Sequence, residues 1–172
     1  MDTSESSTRL VMPVVSRDAQ LSVQWLNGDQ GRDTLRMMGV VEQLIRPATL
    51  DQETMRIASF IERQDQYNWM IEFEGHVVGS IWVDLRPAVT LGAPAVSLMI
   101  GDPTARRKGV GRLSLHAVTQ FMFRQRASQV FARALVSNHR SARLLSCVGF
   151  AMLSEPYVGP DDGLHWQNFV LQ

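Results

Sequence analysis

The chain has 172 residues, of which 45% are hydrophobic and 20% are charged, so it is long enough to bury one sizeable core. Its basic and acidic side chains, 17 of each, give a net charge of zero, which argues against binding to nucleic acid or to an anionic membrane. A single cysteine excludes an internal disulfide framework and favours a reducing, cytoplasmic compartment. We expect a disordered polar tail over residues 1–7 and one globular domain over residues 8–172.

Apolar periodicity and turn residues predict that strands and helices alternate along the chain. Thr49 and Gln52 form a capping-box pattern at the start of a helix, and Glu74-Gly75 predicts a tight turn between two strands. In chain order, the predicted strands are 9–15, 69–73, 76–83, 95–100, 129–136, 151–153 and 164–171. The predicted helices are 18–27, turns within 32–44, 49–64, 110–126 and 139–148.

The most informative stretch is segment 96–112, VSLMIGDPTARRKGVGR, which leads from an apolar strand through a basic loop into a helix. Gly109 and Gly111 let a backbone approach an anion closely, and the N–H groups and dipole of the helix start favour negative charge. The Arg-Arg-Lys run at 106–108 adds positive charge. The pattern predicts a phosphate-binding loop, with a solvated basic turn before a core helix as the alternative.

Two common phosphate loops do not fit this stretch. A Walker A loop ends in Gly-Lys-Ser or Gly-Lys-Thr, whereas Lys108 precedes its glycine and Gly111 is followed by Arg112. A dinucleotide-binding fingerprint requires a third glycine where this chain has Ser114, and an acidic residue about twenty residues further on, which is missing.

A second motif occupies segment 136–150, VSNHRSARLLSCVGF. Asn138 is a favourable N-cap for the short helix that follows, and Gly149 suits the left-handed position at its end. Phe150 then begins the next strand.

The pattern Arg106-x-x-Gly109-x-Gly111, followed after one strand by the Asn138 segment, resembles the acetyl-CoA-binding motifs of the GNAT superfamily of N-acetyltransferases. Further similarity is to the branch of RimJ/RimL-type ribosomal-protein and spermidine acetyltransferases, in the segments WLN (25–27), WMIE (69–72), VGSI (78–81) and MIGDP (99–103).

The resemblance implies an α/β (α+β) fold with a mixed, mostly antiparallel sheet of about seven strands, flanked by about four helices and splayed between strands 4 and 5. It also implies acetyl-CoA as co-substrate, with no metal. The cofactor-binding positions that it implies are Met99, Ile100, Gly101, Arg106, Arg107, Lys108, Gly109, Val110, Gly111, Arg112, Asn138 and Ser141.

Acetyl transfer from a thioester to an amine requires a polarised carbonyl, a neutral amine and a proton for the departing thiolate. By the resemblance, the Met99 N–H at the splay is the expected donor to the carbonyl. The tyrosine that many members use as the acid is replaced by Leu145, so we expect Tyr157 or water to protonate the thiolate. Cys147 is expected to be a buried packing residue.

Glu72 and Asp84, on adjacent strands, are candidates for the base that deprotonates the amine, with ion pairing to arginine as the structural alternative. Asp102 is expected to cap the turn after strand 4. Asp161 and Asp162, in loop 155–163, could attract a cationic acceptor. No Cys, His, Asp or Glu spacing indicates a metal site, and no Ser/His/Asp order indicates a hydrolase.

We expect direct transfer, in a ternary complex, to a small primary amine or amino sugar. A protein N-terminus is the alternative acceptor. A non-catalytic acetyl-CoA sensor or scaffold is the non-enzymatic alternative, because Leu145 replaces the tyrosine. No nucleic-acid or membrane partner is expected, and a homodimer is compatible with the sequence.

Overall fold

A computed structural model describes residues 7–87 and 90–172 as an eight-stranded sheet with packed helices. The strands are β1 (Thr8–Val11), β2 (Gln66–Phe73), β3 (His76–Asp84), β4 (Ala95–Ile100), β5 (Val130–Leu135), β6 (Ala151–Met152), β7 (Tyr157–Val158) and β8 (His165–Leu171). The α-helices are α1 (Val15–Leu26), α2 (Gly28–Met37), α3 (Leu50–Glu62), α4 (Val110–Arg124) and α5 (His139–Val148). Two short 3-10 helices span Glu42–Leu44 and Pro103–Ala105.

The strand order in the sheet is β1-β2-β3-β4-β5-β8-β6, and β7 also pairs with β8. The pairing of β4 with β5 is parallel, and the other strand pairs in the described residues are antiparallel. The predicted mixed, mostly antiparallel α/β sheet is therefore confirmed.

The β4–β5 pair separates almost as soon as it forms. Ala95 pairs with Phe131, and the Phe131 N–H donates to the Pro94 carbonyl at 2.8 Å. Beyond this point the described strands share no further pair. The gap between residues 97–100 of β4 and residues 132–135 of β5 is called the β4–β5 opening below, and it confirms the predicted splay.

Local capping explains why the helices begin and end where they do. Thr49 and Gln52 form the predicted capping box at the start of α3. The Asn138 side chain accepts the Ser141 N–H at 3.1 Å, and Gly149 ends α5 at φ +105°. The predicted bounds of β4 and α5 are confirmed.

Several predicted bounds differ from the structure: α1 begins at Val15 instead of residue 18, α2 at Gly28 instead of residue 32, and β2 at Gln66 instead of residue 69. The first strand ends at Val11 instead of residue 15, because the buried Asp18 carboxylate accepts the Val14 N–H at 2.6 Å and α1 begins at once. β7, which has only two residues, lies inside the predicted loop 155–163. Residues 1–6 of the predicted tail lie outside the described residues, and the Ser7 carbonyl accepts the Glu74 N–H at 3.1 Å.

Apolar residues pack on both faces of the sheet. The larger cluster joins β2–β5 and β8 to α4 and α5, and includes Ile71, Val83, Leu115 and Val118. The smaller cluster is Trp25 of α1 with Met70 and Met99. Within residues 7–87 and 90–172, no helix is long and apolar enough to cross a lipid bilayer.

Candidate active site

The loop that enters α4 provides no side-chain cap for the start of this helix. Gly109 is the N-cap residue at φ +82°, and no side chain in the described structure caps the helix there. The first N–H groups of α4, on Val110, Gly111 and Arg112, have no partner within the helix. A Cβ added at Gly109 would meet no atom within 4 Å, so these N–H groups begin at open space. This arrangement is suited to an anion.

Three cations surround this helix start. Arg107, Lys108 and Arg112 are exposed. The Lys108 ammonium lies 5.6 Å from the centroid of the Phe73 ring, and Arg107 has a left-handed backbone at φ +64°. The loop therefore combines backbone donors with exposed positive charge.

Arg106 instead holds the loop in place. Its Nε donates to the Ile100 carbonyl at 3.1 Å, and another guanidinium nitrogen donates to Thr34 Oγ1 of α2 at 3.1 Å. The first residue of the motif thus joins β4, the loop and α2.

Gly111 allows α4 to approach its neighbours closely. A Cβ at this position would lie 3.3 Å from Leu144 of α5 and 3.7 Å from Leu98 of β4. The two glycines therefore have different tasks: Gly109 supplies a left-handed backbone, and Gly111 supplies a small contact.

The pleat of β4 decides which N–H groups face the opening. The Pro94 carbonyl bonds to β5, and the Ile100 carbonyl bonds to Arg106. The Met99 carbonyl faces β3, since a Cβ at Gly79 would collide with it. Because N–H and C=O of one strand residue point the same way and alternate along the strand, the Ile100 N–H faces the opening, whereas that of Met99 faces β3.

Helix α2 connects the two edges of the opening. Thr34 accepts the Arg106 bond on the β4 edge, and one turn later the Met37 carbonyl accepts a bond from Asn138 Nδ2 at 3.0 Å on the β5 edge. Both polar atoms of the Asn138 side chain are therefore bonded within the protein, one to α2 and one to Ser141.

The two predicted base candidates lie at opposite ends of the β2–β3 pair, and each is bonded to another side chain. Glu72 forms an ion pair with Arg9 of the edge strand β1. Asp84 accepts from the Gln66 side chain and stands opposite Ala95, at the end where β4 and β5 are still joined. Asp84 is therefore at the joined end of β4 and β5, whereas Glu72 lies two strands from β4, beside Ile71, which is level with Gly79 and Ile100.

Tyr157 lies on the β8 side of the opening. It is paired with Trp166, which in turn pairs with Leu135 at the wide end of β5. Its hydroxyl donates to Asn168 Oδ1 at 3.2 Å. Because residues paired across a sheet share a face, Tyr157 lies on the face opposite α4.

Other predicted side chains have structural surroundings. Asp102 caps the turn after β4, as expected, by accepting the Thr104 N–H at 2.8 Å. Leu145 is buried in the main core. Cys147 is exposed, so its predicted burial is wrong, because it lies on the solvent side of α5. Asp162 accepts from the Leu164 N–H and the Trp166 indole N–H within its own loop.

The sequence reasoning missed Arg133 of β5. Its guanidinium lies 4.1 Å from the centroid of the Trp166 ring, on the same face as Tyr157. A hydrophobic strand with one arginine gives a hint of a functional position, but only the register with β8 shows which ring it covers.

An ion-pair network holds the segment after α2 against Trp166. Arg36 and Arg32 both bond to Glu42, and Arg36 Nε lies 2.6 Å from its carboxylate. Their charges and hydrogen bonds lower the pKa of Glu42 to about 2. Within this segment a Cβ at Gly39 would collide with the Trp166 ring.

Two shallow depressions lie apart from the opening, one between α1 and α3 and one around the α1–α2 junction, and neither contains a predicted site residue. No cluster of His, Cys, Asp and Glu in the described part of the chain could hold a metal ion.

A family model for the acetyltransferase (GNAT) domain matches residues 9–151, and this match covers both the β4–α4 loop and the Asn138 helix. The chain belongs to the GNAT acetyltransferase family. GNAT acetyltransferases use acetyl-CoA, and the predicted co-substrate is therefore confirmed at the level of the family. A search of curated proteins by sequence finds no match.

Solved GNAT structures share the fold of this chain at low sequence identity. RimL, a ribosomal L7/L12 alpha-N-protein acetyltransferase in complex with coenzyme A, has a TM-score of 0.76 at 13% identity, over 99% of this chain and 96% of that one. Spermidine N-acetyltransferase from Vibrio cholerae, with CoA and spermine, has a TM-score of 0.74 at 12% identity, over 98% and 96%. The aminoglycoside acetyltransferase AAC(6')-Ib with coenzyme A has a TM-score of 0.75 at 16% identity, over 96% and 95%.

The Glu42 network predicts a pH dependence of stability. A carboxyl whose pKa falls from 4.5 to about 2 on folding stabilises the protein above pH 4.5, and this contribution is lost as the pH falls through about 2. The difference in free energy of unfolding between the wild type and Glu42→Gln should be constant near neutral pH and shrink below pH 4.5. Urea unfolding at a series of pH values measures it.

The exposed Glu62, which forms no ion pair in the described residues, provides the matched control as Glu62→Gln. A Glu42 difference that persists unchanged well below pH 4.5 would contradict the network.

Proposed function

We propose that this GNAT protein transfers the acetyl group of acetyl-CoA directly to a small primary amine or amino sugar. The observation that carries the proposal is the uncapped, glycine-led start of α4 beside the β4–β5 opening. The first offers donors to a diphosphate, and the second offers a passage through the sheet.

The residues fit the diphosphate of acetyl-CoA. The N–H groups of Val110, Gly111 and Arg112 would bind its oxygens, with Arg107 and Lys108 adding charge. When bound, acetyl-CoA supplies an acetyl thioester to the acceptor amine. Among the other predicted positions, the side chains of Arg106 and Asn138 orient the loop and α5 through α2. Gly101 and Ser141 are kept as proposed cofactor-binding positions.

We assign the polarising hydrogen bond to the Ile100 N–H, in place of the Met99 N–H that the sequence suggested. The support is the pleat of β4, which directs Ile100 toward the opening and Met99 toward β3. A fixed N–H aimed at a developing oxyanion stabilises it without reorganisation.

Acetyl transfer also requires a proton for the thiolate and the loss of a proton from the amine. Tyr157, on the face opposite α4, is the proposed donor to the departing thiolate, with water as the substitute. Glu72 and Asp84, the sequence-predicted bases, are bonded elsewhere, so the amine would lose its proton to solvent in the opening.

A cytoplasmic location remains part of the proposal.

Replacing Gly109 with valine should abolish binding of acetyl-CoA, because the side chain would fill the open space before the α4 N–H groups. Gly75→Val is a matched control: Gly75 has φ +80° and also meets no atom within 4 Å, but it lies in the β2–β3 turn. Both variants should lose similar stability, on the order of 1–2 kcal/mol. Calorimetric titration with coenzyme A measures binding, and unchanged affinity in Gly109→Val would remove the basis of the assignment.

Ile100→Pro should lower kcat by about 10²- to 10³-fold, since it removes the N–H that faces the opening. Ile100→Ala retains this N–H and is the control for the lost side chain. Met99→Pro removes an N–H that faces β3 and should mainly reduce stability in urea. Equal rates for Ile100→Pro and Ile100→Ala would contradict the assignment.

The function itself is tested by incubating the protein with acetyl-CoA and a panel of amines, amino sugars and peptides while following thiol release. Turnover with small amines is the expected result. Turnover with peptides alone would favour acetylation of protein N-termini, and tight binding of coenzyme A without any turnover would favour a sensor or scaffold.

A further inference from the structure

Arg133 of β5 is an exposed guanidinium in the described sheet that is held in place by an aromatic ring. It lies over Trp166 at 4.1 Å from the ring centroid. No carboxylate of the described residues lies within 4.0 Å of its nitrogen atoms.

The register places this guanidinium at the β4–β5 opening. Ala95 and Phe131 form the last pair of β4 with β5, so two residues further on Ser97 and Arg133 face each other across the gap. They share the face of the sheet opposite α4 with Tyr157 and Trp166. With the diphosphate at the start of α4, an acceptor that approaches from the opposite face would reach a thioester bound along β4.

The ring that supports Arg133 is rigid. Trp166 is 4% exposed, and its indole N–H donates to Asp162 Oδ2 at 3.0 Å. A Cβ at Gly39 would collide with the edge of the same ring, so the Gly39 backbone packs closely against it. A guanidinium stacked by its face keeps its in-plane N–H groups available for a bidentate oxyanion.

Two of the nearby carboxylates accept hydrogen bonds within the protein. Asp162 is already bonded to the Leu164 N–H and the Trp166 indole, and Asp84 is bonded to Gln66. No carboxylate of the described residues forms an ion pair with Arg133, so its positive charge is free to bind an anion at the opening.

We propose that Arg133 binds an oxyanion, a carboxylate or a phosphate, that the acceptor carries in addition to its amine. The inference rests on the proposed function and narrows its acceptor from small amines in general to anionic ones. Three residues separate the level of Ser97 from Ile100 on β4, or about 10 Å at 3.3 Å per residue. An amine and an anion within one small molecule can span this distance.

The test uses two pairs of acceptors that differ in one anion: glucosamine 6-phosphate against glucosamine, and γ-aminobutyrate against its amide. The wild type should have a higher kcat/KM for the anionic member of at least one pair. A preference in the sugar pair indicates a phosphate, and a preference in the aminobutyrate pair indicates a carboxylate. Arg133→Gln should reduce this preference on the order of 10- to 100-fold, mainly through KM. Arg133→Lys should retain part of it.

Arg124→Gln, at the exposed end of α4, is the matched control and should leave the preference unchanged. If Arg133 only supports Trp166, Arg133→Gln will lower stability in urea while the preference stays the same, and that result overturns the inference. A wild type that prefers the neutral member of both pairs, or the polyamine spermidine over all four, also overturns it.

Failure of the proposed function is distinguishable. If no amine releases thiol from acetyl-CoA, the same four compounds are titrated calorimetrically into the protein with coenzyme A present. Tighter binding of an anionic member that is lost in Arg133→Gln supports the site even then, and equal binding of both members overturns it.

Discussion

The architecture depends on how little of β4 is paired with β5. A parallel strand pair normally continues its ladder, but here one pair is followed by a gap, while β4 remains bonded to β3 on its other side. Strand N–H groups that lose a partner strand must find another acceptor, since an unpaired polar group is costly away from water. The separation therefore leaves the Ile100 N–H directed into the gap between the two strands.

Local signals in the sequence predicted much of this frame. The capping box at Thr49, the left-handed Gly149 and the turn at Glu74 are short-range chemistry, so their elements were predicted close to their observed bounds. The loop between β4 and α4 was predictable for the same reason, because the effect of its glycines and basic residues depends mainly on the local sequence.

Contacts between distant residues could not be predicted in this way. Arg106 bonds to Thr34 and Asn138 bonds to Met37, across 72 and 101 residues of sequence. Which N–H of β4 faces the gap depends on how β3, β4 and β5 are aligned. Because N–H groups alternate along a strand, a shift of one residue in that alignment exchanges Ile100 for Met99 at the gap. The stacking of Arg133 on Trp166 likewise exists only after β5 and β8 are aligned.

The position of α2 determines how a change in this helix would act on the two sides of the β4–β5 opening. One turn of this ten-residue helix forms hydrogen bonds on both sides of the opening. The Thr34 hydroxyl accepts from Arg106 on one side, and the Met37 carbonyl accepts from Asn138 on the other. The residues at the far ends of those bonds belong to the two segments that characterise the family's nucleotide-binding motifs. A substitution that shifts α2 would therefore displace the β4–α4 loop and the start of α5 together.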